Sequence, residues 1–359
     1  MGTSRWHGGF GLLAMALLAG QPAAAAPASK VFRDWVAACD NLGGCTAASL
    51  PGEMAEVFAY LKLERPAGST GAAAFSVVVR ADKLKQPLSA KLTVDGAPFP
   101  AGGGALTAFL ADAETATMPL PAAQNEALVA AARKATGLKL EIGGRSFAIS
   151  LAGAVAAMLW IDEQQGRLGT ASALIRKGDK PAASVPAAPA LPVILAKPTA
   201  ALPAIDAKAA KPLFAAVRRQ LKTAGDDTCE ENDGTSPATD KAWPLDGGRK
   251  LVGLYCGSGA YNILTGYWLV GTGAASAARP VKFPQQDSHV LINSKYDPAT
   301  GQIEFFAKGR GIGDCGTAGN YAWTGSEFVL TALTTMEICR GLPPNDWLTL
   351  FRSEVKLAK

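Results

Sequence analysis

The feature that most constrains this chain is its set of six cysteines, Cys39, Cys45, Cys229, Cys256, Cys315 and Cys339. No two of them form a CxxC, so neither a thioredoxin-type redox pair nor a zinc knuckle is supported. An even number of cysteines in an exported chain reads as a disulfide framework. Six admit many pairings, and sequence alone does not choose among them. Proximity ranks them: only Cys39 and Cys45 lie in the first half, which leaves Cys229–Cys256 and Cys315–Cys339 as the simplest arrangement of the rest. The stretch "DWVAACDNLGGCTA" then reads as a staple closed through a turn-forming "DNLGG", with Trp35 on the core side.

Export is read from the opening residues. Arg5 precedes an apolar stretch from Phe10 to Gly20, and an alanine run ends at Ala26. That order of charge, apolar core and small residues is a secretory signal peptide over residues 1–26, with cleavage between about 23 and 27. The apolar stretch falls short of the roughly 20 residues a membrane-spanning helix needs, and no later stretch reads as a span. The mature chain is therefore expected in the periplasm. An uncleaved anchor is the competing reading.

Composition excludes several activities. The chain carries 35 basic and 30 acidic residues, a formal +5. Removing Arg5 with the leader gives 34 − 30, or +4, with no basic block, which argues against nucleic acid as a partner. His289 is the one histidine left beyond the leader. A multi-histidine metal site in one chain is thus ruled out, and any Ser-His-Asp machinery would have to be built on His289, at the entry to an apparent strand.

Along the chain, "VFAYLKLER" (57–65) and "AAFSVVVRAD" (73–82) read as strands with partial alternation, and Asp95-Gly96 as a hairpin turn. "QNEALVAAARKATGLKL" (124–140) has helical spacing at Leu128, Ala131, Ala132 and Ala135, with Gly137 as its stop. Ser150 is placed to cap a second helix that buries Leu151, Val155, Met158 and Leu159. From 179 to 212 seven prolines fall in an Ala-rich stretch, expected to be an extended linker without regular helix or sheet. "LFAAVRRQLKTA" (213–224) reads as an amphipathic helix, and the remainder alternates strands with Gly- and Asp-bearing turns, including hairpins at "YDPATGQIEFF" and "YAWTGSEFVL". The expectation is a β-rich α+β protein of two domains. A β-sandwich-like N-terminal domain with two helices (27–178) and a mostly antiparallel β domain with one leading helix (213–359) are joined by the linker 179–212.

Several strings in order, "DWVAACDNLGGCTA", "IDEQQGRLGTASALIRKG", "CGSGAYN", "GRGIGDCG", "YAWTGSEFVL" and "ICRG", resemble the bacterial domain-of-unknown-function family 1176 over about residues 31–352. The first half also resembles the invasion-associated locus B family, through Trp35 and the cysteines, "PLSAKLTVDG" and "ISLAGAVAA". The resemblance implies an exported envelope protein with a β-rich N-terminal domain and brings no catalytic residues with it.

Three stretches are candidates for chemistry. "DDTCEENDG" (226–234) gathers Asp226, Asp227, Glu230, Glu231 and Asp233, oxygen ligands of the kind Ca²⁺ takes, but the EF-hand spacing fails and a solvated turn pinned by a disulfide is the favoured reading. "DEQQGR" (162–167) offers Asp162, Glu163 and Arg167 to a surface site, or ends a helix with Gly166 as its left-handed cap. "GSGAYN" and "GRGIGDCG" match no nucleotide-binding spacing and read as tight turns beside Cys256 and Cys315. If they meet, Tyr261, Asn262, Arg310 and Asp314 would form a ligand site suited to a sugar or peptide. No cofactor and no metal are called for. The leading reading is a non-enzymatic binding protein of the cell envelope, with an envelope protein or a glycan or peptide as partner. A carboxylate-dependent envelope hydrolase using acids such as Asp314 or Asp162, and a structural or stress-response envelope factor, are the alternatives.

Overall fold

The computed structural model describes residues 27–358 apart from 54, 86–87, 227, 230–239 and 273–277. The leader read over 1–26 and most of the acidic stretch (Asp227, Glu230, Glu231, Asp233) lie outside the described residues. Among the described residues antiparallel sheets dominate, with three α-helices.

The first half is built on a seven-stranded antiparallel sheet. It runs in the order Ala28–Phe32, Trp35–Cys39, Cys45–Ser49, Phe58–Arg65, Ala74–Arg80, Thr115–Pro119, Phe109–Leu110. Strand side chains alternate between faces, and here both faces are covered. Trp35, Ala37, Ala47, Leu61, Leu63, Val77 and Val79 point into a core shared with a five-stranded sheet and two helices, α1 (Ala122–Ala132) and α2 (Ala154–Gln164). Their neighbours Val36, Ala38, Ala48, Phe58, Tyr60 and Val78 point the other way. They pack on Met336, Leu342, Trp347 and Leu348 of the second half. Double-sided burial is why these strands show only partial alternation.

The second half holds two more five-stranded antiparallel sheets, one centred on Lys250–Ser258 and Ile263–Val270, the other on Gln302–Lys308, Gly316–Trp323 and Phe328–Met336. An aromatic core of Tyr267, Phe283, Tyr296, Tyr321, Trp323 and Phe328 lies between them. Helix α3 (Ala207–Ala224) packs Val217 and Leu221 on Val252, Leu254 and Trp268 of the first of these sheets. The three disulfides join Cys39 to Cys45, Cys229 to Cys256 and Cys315 to Cys339.

Four local expectations need correction. The proline-rich stretch is not free of regular structure: its proline-free run Val193–Ala196 pairs in parallel with Glu354–Leu357 near the C-terminus. Polyproline and strand conformations are neighbours in φ/ψ, so a few residues with free N–H groups suffice for pairing. Further on, Thr199 is buried and its Oγ1 is 2.9 Å from the Tyr296 hydroxyl, while the Lys197 N–H donates to the Trp323 carbonyl at 2.7 Å. Helix α3 begins at Ala207 rather than 213. Asp206 caps it by accepting from the Ala209 N–H at 2.8 Å, and the helix continues through Pro212. Helix α1 ends at Ala132, and Gly137 opens the strand Gly137–Ile142 instead of stopping a helix. Helix α2 is entered at Gly153 (φ 104°), where a Cβ would lie 1.7 Å from the Phe32 carbonyl oxygen. Ser150 lies three residues ahead of that cap position: its Oγ accepts from the Ala152 N–H at 3.1 Å, outside the helix, and donates to Asp34 at 2.8 Å.

Candidate functional site

The two glycine-rich loops come together. Gly257, Gly313 and Gly316 all have positive φ, and a Cβ at Gly316 would lie 1.9 Å from the Ala307 carbonyl oxygen. At Gly311 the Tyr261 ring lies directly against the backbone: a Cβ there would be 2.6 Å from Tyr261 Cζ. Asn262 ties the loops, its Nδ2 donating to the Lys308 carbonyl at 2.9 Å and its Oδ1 accepting from Asn293 Nδ2 at 2.9 Å. Tyr261 remains 62% exposed, and Ile312 in the second loop 75%.

Arg310 and Asp314 pair in a fork, Nε to Oδ1 at 2.7 Å and Nη2 to Oδ2 at 2.5 Å. Asp314 also accepts the Gly341 N–H at 2.6 Å, which fastens the loop to the segment beyond Cys339. Burial pushes the Asp314 carboxyl up, but the hydrogen bonds and charge of Arg310 and the Gly341 N–H outweigh it and hold the group below the usual carboxylate range. Asn262 and Asp314 therefore serve the geometry of the loops, while Tyr261 and Ile312 face outward.

Beside them a cleft of about 380 Å³ opens where the two halves meet. Phe58 and Arg80 line it from the first half, and Arg310, Ile312, Pro343 and Pro344 from the second. Polar contacts outside its lining tie the two halves together. Asp346 accepts from Tyr60 Oη and from Lys62 Nζ (3.0 Å), Arg340 pairs with Asp34 at 2.9 Å, and Arg352 with Asp40 at 2.6 Å. The Asp34 carboxyl is held low by the Ser150 hydroxyl first and Arg340 second. Gly341 (φ 91°) brings its backbone onto the Phe58 ring, where a Cβ would approach to 3.0 Å.

The remaining candidates fall elsewhere. Asp162 and Arg167 do not form a surface site: both are 0% exposed, and only Glu163 of that group faces solvent. Asp162 pairs with Arg65 at 2.8 Å and accepts the Leu174 and Ile175 N–H groups at 2.8 and 2.9 Å. His289 lies edge-on to Trp268 with ring centroids 4.7 Å apart, and burial lowers its pKa. Asp226 turns back onto the Thr228 N–H at 3.0 Å, and among the described residues no three His, Cys, Asp or Glu side chains gather as metal ligands. Phe58, Arg80, Ile312 and the Pro343–Pro344 pair were not singled out from the sequence. The exposed Ile312 in a glycine loop was the one available signal, since the others join the site only through long-range packing.

The chain belongs to a family described as a protein of unknown function (DUF1176), whose model matches residues 29–354. It is similar to the uncharacterized protein YpfG of Escherichia coli (strain K12), 30% identical over 348 residues that cover 91% of this chain and 93% of that protein. No solved structure matches it. Among the described residues no helix is long and apolar enough to cross a membrane.

Proposed function

We propose that this is a non-enzymatic binding protein of the cell envelope, exported to the periplasm by cleavage of its leader, and that it takes a polypeptide partner at the cleft between its halves. One observation carries the reading. Ile312 and Tyr261 stand exposed on glycine loops, Tyr261 against Gly311, and Ile312 lines with Arg80 and Arg310 a cleft between the halves. Exposed apolar side chains on a rigid support, accompanied by tyrosine and arginine, have the composition of protein interaction sites. The three disulfides suit an oxidising compartment. The likeness of the first half to the invasion-associated locus B family belongs to this same reading, as does a division into domains at 27–178 and 213–359.

The hydrolase alternative is less well supported. Asp162 is sealed by Arg65 and two backbone N–H groups, and Asp314 is engaged by Arg310 and Gly341. A general acid needs a raised pKa, and the Asp314 shift runs downward. A structural or stress-response role would act through the same surface.

The test is site-specific photocrosslinking in intact cells with the probe at position 312 and, as control, at Lys208 on the exposed side of α3. The expected result is a discrete protein adduct from position 312 that disappears when Arg310 is replaced by alanine and Tyr261 by serine. Equal labelling from both positions, or none from 312, would overturn the proposal.

A further inference from the structure

A second cavity, of about 420 Å³, lies within the first half, far in sequence from the glycine loops. It is bounded by the loop after Arg65, the first turns of α1 and the segment 171–177. Behind its wall the buried ion cluster is out of balance. Two guanidiniums, Arg65 and Arg167, lie near one carboxylate, Asp162, which pairs with Arg65, and all three side chains are essentially inaccessible to water. Neutral oxygens complete the cluster, among them Gln165 Oε1, which accepts from Arg167 Nε at 2.8 Å. Arg65 donates to the carbonyls of Gly71 (3.4 Å) and Ser172, and Arg167 to those of Pro66 (3.4 Å) and Gly68 (2.5 Å). Carbonyl dipoles solvate a cation but leave its charge standing, and burying uncompensated charge is costly. Desolvation and the nearby Arg65 charge bring the Arg167 pKa down to about 10, the direction expected of a crowded buried cation.

The cavity lies directly against this cluster. Arg65 forms part of its wall, and so does Ser172, whose hydroxyl accepts from Arg167 Nη1 at 3.1 Å. Ser69 and Thr70 bring further hydroxyl groups and Lys177 an ammonium, against one acid, Glu126. Phe75, Val129 and Leu174 give the rest an apolar character. Hydroxyls and cations lining the same pocket as apolar side chains are the features that orient an organic anion. We propose that this cavity binds a small carboxylate with an apolar body, its carboxylate held on the Arg65–Ser172–Lys177 side and its body against Phe75, Val129 and Leu174. The inference is independent of the polypeptide site at the cleft.

Calorimetric titration of the full mature chain tests it, with hexanoate as probe, its uncharged analogue hexanamide, and inorganic phosphate, all at constant ionic strength in chloride. Hexanoate should bind saturably. Hexanamide should bind at least about tenfold more weakly, and Lys177→Glu, a surface change, should weaken hexanoate by about tenfold, the size of one partly screened charge contact. Val129→Trp, which fills the chamber, should abolish binding, with circular dichroism confirming that both variants fold. No saturable hexanoate binding, equal affinity for hexanamide, or undiminished binding to Val129→Trp would each overturn the proposal. Tighter binding of phosphate than of hexanoate would overturn the assignment to an organic anion.

Discussion

Replacing Cys315 and Cys339 together by alanine should destabilise the chain more than the same change at Cys39 and Cys45, by an amount set by loop length. Cross-linking removes conformational entropy from the unfolded chain, and in the chain-entropy treatment the gain grows with the logarithm of the enclosed loop. The Cys315–Cys339 bond closes a separation of 24 residues and Cys39–Cys45 one of 6. These correspond to about 3.5 and about 2.3 kcal/mol at room temperature. Both pairs pack against apolar surroundings, Cys315 among Val36, Met336 and Trp347, and Cys39 and Cys45 within the first-half core. Truncating sulfur to hydrogen therefore adds a similar loss to each, and the difference of about 1.2 kcal/mol survives. Guanidinium unfolding of both double variants under oxidising conditions measures it, provided the slopes match the parent chain. A Cys39/Cys45 variant as unstable as the Cys315/Cys339 variant, or more so, would refute the entropic reasoning and point to native-state packing as the source.

Other outcomes follow from the same structure. Asp162→Asn leaves two buried guanidiniums without a counter-charge and should cost about 3–5 kcal/mol in thermal or denaturant unfolding, whereas an effect below about 0.5 kcal/mol would show the arginines to be neutralised otherwise. Gly153→Ala forces a Cβ onto the Phe32 carbonyl at φ 104° and should destabilise by more than about 2 kcal/mol; an unchanged melting temperature would mean that the entry to α2 adapts freely. The Asp34 and Asp314 carboxyls are both held below the ordinary value of 3.8, so the stability they contribute is complete above that pH and is lost as pH falls through their lower folded values. Melting temperatures should accordingly drop on acidification below about pH 4, and Asp34→Asn should flatten that slope; an identical acid profile in the variant would remove Asp34 from the account.

The legibility of the chain followed the range of the interactions involved. The turn at Asp95-Gly96 could be read from two residues because its positive φ values, 45° and 83°, are a local matter of turn chemistry. The same Asp95 shows where local reading stops. Its carboxylate accepts the N–H groups of Thr136 and Gly137 at 3.1 and 2.9 Å, drawing into a hairpin a stretch whose periodicity reads as helix. Gly137 then pairs with Ser150 as the first residue of a strand. Likewise, nothing adjacent to Val193–Ala196 announces its partner strand near the C-terminus.

The β-rich α+β class, the cysteine framework and the two loops where backbone freedom depends on glycine were all legible in the residues alone. These rest on composition, on short-range periodicity and on turn geometry, which act over a few residues. Tertiary structure decided that Asp162 is a buried partner of Arg65 rather than a surface acid. It also covered both faces of the first sheet, and it placed Phe58 and Arg80 opposite Arg310 and Ile312 to make a cleft. Burial and long-range pairing depend on which distant segments meet, and that is set by the packing free energy of the whole chain.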